Sequence, residues 1–315
     1  MTSVSIKPQN SFKPASINYR VGIPADSYTI FKIFEDTYAD LSRRMGSTAP
    51  TSAADPEALA HMWQERRSLY QHLAHTAEHF WIAEREGQSI GFARSINRDG
   101  VRQLTEYFVL PATQSAGVGR ELLERVFPEE DAKCRSIIAT TDMAAQARYL
   151  KAGVNPRFPI YYFGRKPEDV PVVSDLVFEP LTASPNDLAV LGELDQKVLG
   201  YRRDVDHQWL VSDRQGYLYY RDDTPVGYGY TGVRNGPFAL LETNDFPAVL
   251  AHAESTAAQQ GREHFGVEIP MVNQTAVDYL LDHGFRIDSF IAILMTDIPF
   301  GKFENYITTS PPFFL

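Results

Sequence analysis

An internal repeat constrains the fold of this chain more than any other feature. Residues 142–154 read DMAAQARYLKAGV and residues 273–285 read NQTAVDYLLDHGF. Both begin with a short polar residue and have alanine at the fourth position and glycine at the twelfth. A polar first residue can cap a helix N-terminus, and glycine readily takes the left-handed conformation that ends a helix. The two segments therefore predict the same late helix built twice.

A second repeat precedes each of these segments. Residues 81–96 read as two strands around the turn Glu86-Gly87, and residues 216–232 as two strands around Asp222-Asp223. Two repeats at nearly the same separation predict a tandem duplication. The proline-marked stretch RKPEDVPVVSD at residues 165–175 is the predicted boundary. We expect a flexible N-terminus at 1–16, a first domain at 17–168 and a second at 169–315.

The predicted fold class is α/β, more narrowly α+β, with each half a mixed, mostly antiparallel sheet flanked by helices. In the first half we expect a strand, two helices, a hairpin, a further strand, a glycine-bearing loop, a helix, a strand, the late helix and a last strand. The second half repeats this order with shorter early helices. The aromatic tail GKFENYITTSPPFFL is expected to dock on the body, because exposed apolar tails favour aggregation.

Composition excludes several classes of protein. Of 315 residues, 43% are hydrophobic, which is too many for a disordered chain. No apolar run reaches the roughly 20 residues that span a bilayer, and the polar start argues against a signal peptide. The single cysteine, Cys134, excludes an intrachain disulfide and is expected to be a small buried apolar residue. A net charge of −10 argues against nucleic-acid binding. We expect a cytoplasmic protein with no membrane partner and no metal.

The loop QSAGVG at residues 114–119 is the sharpest motif for chemistry. It joins the strand that ends in TEYFVLP to the helix GRELLERVF. A glycine-rich turn of this kind exposes backbone N–H groups at the positive end of a helix dipole, which suits a phosphate group. The alternative reading is a glycine turn that only closes the connection between strand and helix.

Residues 109–127 resemble the acyl-CoA signature [Q/R]xxGx[G/A] of the GNAT N-acetyltransferase superfamily. Gln114, Gly117 and Gly119 stand at its three positions. The late helix resembles the motif NxxAxxLYEKxGF of the same superfamily, with Tyr149 at its tyrosine and with Asp142 in place of its asparagine. The resemblance implies the GNAT fold, with a second half that is a degenerate copy.

The resemblance also implies an activity, in which a substrate amine attacks the thioester of acetyl-CoA directly. Tyr149 would be the general acid that protonates the leaving thiolate, or else a core tyrosine. Glu106 would be the base, or else would position a water or pair with an arginine such as Arg94. The residues expected to contact acetyl-CoA are Phe108, Val109, Gln114, Ser115, Ala116, Gly117, Val118, Gly119 and Arg120.

Other polar residues have weaker readings. His72, His75 and His79 are a second candidate set for taking the proton, but their spacing favours a solvated helix face over catalysis. Glu35, Asp36 and Asp40 would attract an ammonium group, although a solvated acidic face is the preferred interpretation. The early aromatic residues Tyr38, Trp63 and Tyr70 are expected to line the acceptor side.

The second half lacks the signature of an active site. Its counterpart of the glycine loop reads NGPFALLETNDFPAVLAHAE, without QxxGxG and with carboxylates where phosphates would approach. Leu280 stands at the position that corresponds to Tyr149, and Tyr279 points elsewhere. We expect this copy to shape the substrate site or to stabilise the first.

The predicted function is therefore N-acetyl transfer from acetyl-CoA to a small cationic amine. The chain would act as a monomer with an internal pseudo-dimer, or as a homodimer. A non-catalytic acyl-CoA-binding module and a protein or peptide acetyltransferase are the alternatives.

Overall fold

The computed structural model describes residues 16–44, 52–113, 117–312 and 314–315. A flexible N-terminus is expected at residues 1–16, and all of these except Ser16 lie outside the described part of the chain. The first half follows the predicted order of elements. Its elements are β1 (Ile17–Val21), α1 (Ser27–Arg44), α2 (Pro56–His75), β2 (His79–Arg85), β3 (Gln88–Arg98), β4 (Val101–Val109), α3 (Val118–Val126), β5 (Cys134–Thr140), α4 (Met143–Lys151) and β6 (Asn155–Arg165).

The second half repeats that order. Its elements are β7 (Val177–Pro180), α5 (Pro185–Val198), α6 (Asp204–Asp213), β8 (Gln215–Arg221), β9 (Thr224–Thr231), β10 (Phe238–Leu240), α7 (Phe246–Gln259), β11 (Phe265–Pro270), α8 (Gln274–Asp282), β12 (Arg286–Thr296) and β13 (Tyr306–Ile307). Its two early helices have 14 and 10 residues, against 18 and 20 in the first half. The prediction of shorter early helices is confirmed.

The caps of the two late helices explain why the repeated segments fold alike. The Asp142 carboxylate accepts a hydrogen bond from the Ala145 N–H at 2.8 Å, and the Asn273 side chain accepts one from the Ala276 N–H at 3.1 Å. Gly153 and Gly284 end the helices at φ values of +85° and +76°. Both helices begin and end as their repeated polar and glycine residues predict.

The two halves share one sheet. Its strand order is β1-β2-β3-β4-β5-β12-β6-β11, so that β12 of the second half lies between β5 and β6 of the first. In turn β6 lies between β12 and β11 and pairs with both antiparallel. The tandem fold is confirmed, but the halves are interlocked by these two strands. Strands from both sides of residue 168 share this sheet, and the domain boundary placed there stays a prediction.

A gap opens in this sheet between β4 and β5. Their parallel pairing stops at Leu104 and Ile137. Directly after that point β4 carries a bulge, since Arg94 of β3 pairs with Glu106 while Ser95 pairs with Leu104. The extra residue is Thr105. A bulge bends the strand that carries it, so β4 turns away from β5 here.

The corresponding gap in the second half is filled. β10 pairs with β13 instead of β11, in a second sheet of order β13-β10-β9-β8-β7. The tail also reaches β11, through a bridge between Thr308 and Glu268. The chain after β12 therefore occupies the space that stays open in the first half.

The end of the tail is buried, as predicted. Phe314 and Leu315 are 0% and 1% exposed. Phe314 packs in a cluster with Leu69, Leu73, Ile96 and Trp209, which joins the two halves. The backbone N–H of Leu315 donates to the Gln103 side chain at 3.0 Å. The tail thus fastens α2 and β3 of the first half to α6 of the second.

His72 corrects one prediction. It is buried, and its Nε2 lies 2.7 Å from an Asp206 carboxylate oxygen of the second half. Arg98 donates to both oxygens of that carboxylate at 2.8 Å. His72 belongs to an ion cluster between the halves and is not on a solvated face, because α6 covers this side of α2.

Cys134 is 3% exposed, which confirms the expected buried apolar role. Of the helices described here, none is both long and apolar enough to cross a membrane.

Replacing Phe314 with alanine tests the docking of the tail. We expect Phe314→Ala to lower the free energy of unfolding by about 3–5 kcal/mol, because a buried aromatic ring leaves a cavity between the halves. Denaturant unfolding measures the change. The control is Val173→Ala, at a position that is 89% exposed, with an expected effect within about 0.5 kcal/mol. Equal stability of the two variants would contradict the docking role.

Candidate active site

The gap between β4 and β5 opens into a cavity of about 850 Å³. Its walls include β4, β5, the start of α3 and α4 from the first half. Arg234, Glu268, Phe290 and Ser310 of the second half close its other side. One cavity therefore joins the glycine loop to residues that only the interlocked fold can supply.

The N-terminus of α3 forms one end of the cavity. Gly117 is its N-cap, with φ of +80°, and among the described residues no side chain caps the helix. Gly117 and Gly119 both line the cavity. A methyl group added at Gly119 would collide with the Tyr107 hydroxyl, so the backbone here is pressed against β4. An uncapped helix start with glycines is a suitable site for a phosphate group.

The other expected contacts with acetyl-CoA lie around this helix start. Phe108 and Val109 line the cavity from β4, and Arg120 lines it with a side chain that is 73% exposed. Val118, the first residue of α3, is buried. Gln114, Ser115 and Ala116 lie outside the described residues. The described part of the loop thus lies at the cavity. The backbone N–H groups at the start of α3 can donate hydrogen bonds to a pyrophosphate, and Gly117 and Gly119 leave room for it and for the pantetheine of acyl-CoA.

Tyr149 of α4 lies in the cavity wall and is 6% exposed. Its ring packs edge-on against Tyr107 with centroids 6.1 Å apart. Burial raises the pKa of the Tyr149 phenol well above its usual value, since the phenolate would be desolvated. The hydroxyl therefore keeps its proton near neutral pH.

Glu106 also lines the cavity. It pairs with Arg94, which is one of the alternatives that the sequence left open. Arg94 donates to Glu106 Oε2 through Nε at 2.7 Å and through Nη2, and neither side chain is exposed. Burial raises the pKa of Glu106 although Arg94 opposes this shift. Among the described residues Glu106 Oε1 has no hydrogen-bond partner. One oxygen is thus held in place and the other is left to accept a proton.

Aromatic residues line the acceptor side. Tyr38 of α1 contacts the cavity and packs against Phe290, with ring centroids 5.8 Å apart. Phe290 projects from a register shift in β12 between Ile287 and Ile291. Trp63 and Tyr70 do not line the cavity, which corrects their prediction, because both pack against Phe31 in the core.

The charged residues on this side were not found from the sequence. Arg66 of α2, Arg234 of the loop before β10 and Glu268 of β11 all line the cavity. Glu35, which was expected on a solvated face, is 4% exposed and accepts a hydrogen bond from Arg66 at 3.0 Å. Arg234 and Glu268 do not belong to a recognisable sequence motif. They reach the cavity because strands of the two halves pair in one sheet.

Glu268 has a strongly perturbed pKa. Burial in the cavity wall raises the pKa of its carboxyl to about 8, and the nearby Asp288 adds to the shift while Arg234 opposes it. Its Oε1 accepts a hydrogen bond from the Ser310 hydroxyl at 3.5 Å. The Glu268 side chain is therefore mostly protonated at neutral pH.

The equivalent region of the second half does not form a comparable site. Leu280, at the position of Tyr149, is buried in the apolar core. The helix corresponding to α3 starts at Phe246-Pro247, and Asp245 directly before it is bonded to Arg221 at 2.7 Å. Within the described chain no group of three or more metal-binding side chains comes together.

Residues 76–155 match the family model described as an acetyltransferase (GNAT) domain. The match covers β2 to α4 of the first half, and the second half repeats the same order of elements. Comparison with curated proteins finds no matching sequence.

Solved structures share the fold over nearly the whole chain. A protein from Pyrococcus horikoshii, provisionally named an acetyltransferase, is 15% identical with a TM-score of 0.70 and 96% of each chain covered. A tandem GNAT protein from the clavulanic acid biosynthesis pathway is 13% identical with a TM-score of 0.58, covering 90% of this chain and 99% of that one. A GCN5-related N-acetyltransferase from Sphaerobacter thermophilus is 14% identical with a TM-score of 0.56, covering 89% and 95%.

Substitution of Gly119 tests the close approach at the start of α3. We expect Gly119→Ala to weaken CoA binding by a factor of about 5 or more, because the new methyl group displaces Tyr107 and shifts the helix start. Calorimetric titration with CoA measures the loss. The double variant Gly119→Ala/Tyr107→Phe removes the colliding oxygen and should recover most of the affinity. A double variant as weak as the single one would exclude this contact as the cause.

The raised pKa of Glu268 predicts how stability depends on pH. Because the folded state holds this proton up to about pH 8 and the unfolded chain releases it near its usual pKa, stability contributed by Glu268 falls as pH rises through that window. Glu268→Gln removes the titration. The variant should match the wild type in melting temperature at pH 5 and exceed it at pH 9. A constant difference across this range would show that Glu268 does not titrate as described.

Proposed function

We propose that this protein transfers the acetyl group of acetyl-CoA to the primary amine of a small molecule. The observation that carries the proposal is the single cavity that links the uncapped start of α3, at Gly117 and Gly119, with Tyr149 and Glu106. The GNAT domain at residues 76–155 covers all four residues. One active centre per chain, in the first half, is part of the proposal.

Acetyl-CoA supplies the acyl group as a thioester. The backbone N–H groups at the start of α3 hold the phosphates, and those of β4 beside the gap orient the thioester carbonyl. The amine nitrogen forms a bond to the carbonyl carbon, and the bond from that carbon to sulfur breaks. Tyr149 donates its proton to the departing sulfur. The acceptor loses two protons: the first passes from the ammonium ion to Glu106 before attack, and the second passes from the nitrogen of the tetrahedral intermediate to the Tyr149 phenolate. An acetamide and free CoA thiol result, and Glu106 releases its proton to solvent.

Glu106 is the proposed acceptor of the amine's proton. Its Oε1 has no hydrogen-bond partner among the described residues, and burial raises its pKa, both of which favour proton uptake. Arg94 keeps the carboxylate in one orientation through Oε2. A water bonded to Glu106 would serve the same purpose where the amine does not reach the carboxylate directly.

The acceptor is proposed to be a small amine that arrives as an ammonium ion. The walls of the acceptor side support the proposal of a small-molecule acceptor. They are formed by α1, β12 and the tail residues Ser310, Pro311 and Pro312. The overall charge of −10 favours the approach of a cation. A protein substrate would need an open groove at this side of the cavity.

The experiment is a CoA thiol-release assay with acetyl-CoA and a panel of small amines, run on the wild type and on Tyr149→Phe. We expect turnover in the wild type and a loss in kcat of about 10²–10⁴ in the variant, with little change in CoA affinity. Tyr28→Phe is the matched control, because Tyr28 is 42% exposed and lies outside the cavity.

Three results would overturn the proposal or a part of it. Undiminished turnover in Tyr149→Phe would remove the tyrosine from the mechanism. Tight CoA binding with no turnover on any amine would instead favour a binding module. A calorimetric stoichiometry of two CoA molecules per chain would contradict the single active centre.

A further inference from the structure

We propose that Arg66 and Arg234 form an anion subsite at the acceptor end of the cavity, and that the acceptor amine carries a carboxylate. The inference rests on the proposed function and makes its substrate class specific. The acceptor would then be of the amino-acid type, with its carboxylate at the two guanidinium groups and its amino group toward Glu106 and Tyr149.

The two arginines come from different halves, and both lie in the wall of the same cavity. Arg66 belongs to α2, while Arg234 belongs to the loop between β9 and β10. Both line the cavity, with side chains that are 15% and 28% exposed. Burial and the nearby Arg66 lower the pKa of Arg234, so each guanidinium lies within the field of the other. Two like charges in a partly desolvated site repel one another unless an anion lies between them.

Arg66 is held in a fixed position. Its Nη1 donates to Glu35 at 3.0 Å, and the second oxygen of Glu35 accepts a hydrogen bond from Ser52. The guanidinium also lies over the Phe34 ring, 5.4 Å from its centroid. These contacts use one edge of the guanidinium and leave its charge beside the cavity, which is the arrangement needed for fork-like binding of a carboxylate.

Arg234 has no close acidic partner among the described residues. Its nearest ion pair is with Glu65, at 3.7 Å, and its Nη2 also lies 3.7 Å from the sulfur of Met62. Both distances are too long for a strong charge-assisted hydrogen bond. The positive charge of Arg234 is therefore only weakly compensated by the protein.

The acids on the same side do not use all the guanidinium donors. Glu35 pairs with Arg66 at 3.0 Å, whereas Glu65 lies 3.7 Å from Arg234. Glu268 is mostly protonated at neutral pH, since burial raises its pKa to about 8, and Asp288 is exposed and accepts a hydrogen bond from the Ser289 hydroxyl. Among the described residues, Arg66 Nε and Arg234 Nε have no hydrogen-bond partner. A ligand carboxylate would accept hydrogen bonds from these guanidinium groups, whereas a purely cationic polyamine would not.

The test compares matched pairs of acceptors. Each L-amino acid, β-alanine and γ-aminobutyrate is assayed beside its own carboxamide, with saturating acetyl-CoA and release of CoA thiol as the signal. We expect at least one acid to be acetylated with a kcat/KM about tenfold or more above that of its amide. Amides that equal or exceed their acids throughout would overturn the subsite.

The variant Arg234→Gln then assigns the preference. We expect it to raise KM for the preferred acid by about tenfold or more and to leave KM for the amide and kcat nearly unchanged. Arg234→Lys should recover part of the loss. The control is Arg43→Gln, whose side chain is 75% exposed on α1 and outside the cavity. An equal effect on acid and amide would show a structural role instead.

Binding distinguishes the failure of this inference from the failure of the proposed function. If no amine is acetylated, the same pairs are titrated calorimetrically into CoA-loaded protein. Binding of an acid but not of its amide, lost in Arg234→Gln, would support the subsite while acetyl transfer is rejected. Acetylation of amines without any preference for a carboxylate would reject the subsite and keep acetyl transfer.

Discussion

The insertion of β12 between β5 and β6 is the constraint on which the rest of this structure depends. A strand that parts from its neighbour leaves backbone groups without partners and needs support on its other edge. β12 provides that support, since it pairs with β5 from Ser136 to Thr140, across the whole length over which β5 leaves β4. On the opposite side β3 pairs with β4 as far as Val109. The gap can therefore stay open because β4 and β5 are each paired with another strand on the edge that faces away from the gap.

The two halves use the same gap in opposite ways. In the first half the gap leads to a cavity with Gly117, Gly119 and Tyr149 in its walls. In the second half β13 pairs with β10 and the tail bridges to β11, so the gap is filled by the chain itself. The tail then runs on to the first half, where Ser310 and Pro311 line the cavity. The segment that fills the gap of the second half thereby becomes part of the cavity wall in the first half.

Charge is distributed along the cavity in a way that the net charge does not reveal. At the start of α3, backbone N–H groups and the helix dipole favour anions, and neither appears in a count of charged residues. At the other end, Arg66 and Arg234 line the cavity beside a Glu268 whose pKa is raised by burial. Between them the paired Arg94 and Glu106 add no net charge. The proposed function and the proposed anion subsite would place an anionic co-substrate and an anionic group of the acceptor in one cavity of an acidic protein.

Local sequence determined a large part of this protein. Caps at Asp142 and Asn273, glycines at the helix ends and polar hairpin turns act over a few residues, so the repeat, the element order and the glycine loop could be predicted from their letters. The exchange of strands could not be predicted, because β6 and β12 have the same local pattern whichever half they pair with. Only the tertiary structure decided that His72 is buried against Asp206, that Glu35 holds Arg66, and that Arg234 and Glu268 face the cavity. These contacts join residues far apart in the chain, and those of His72, Arg234 and Glu268 form only once the two halves have interlocked.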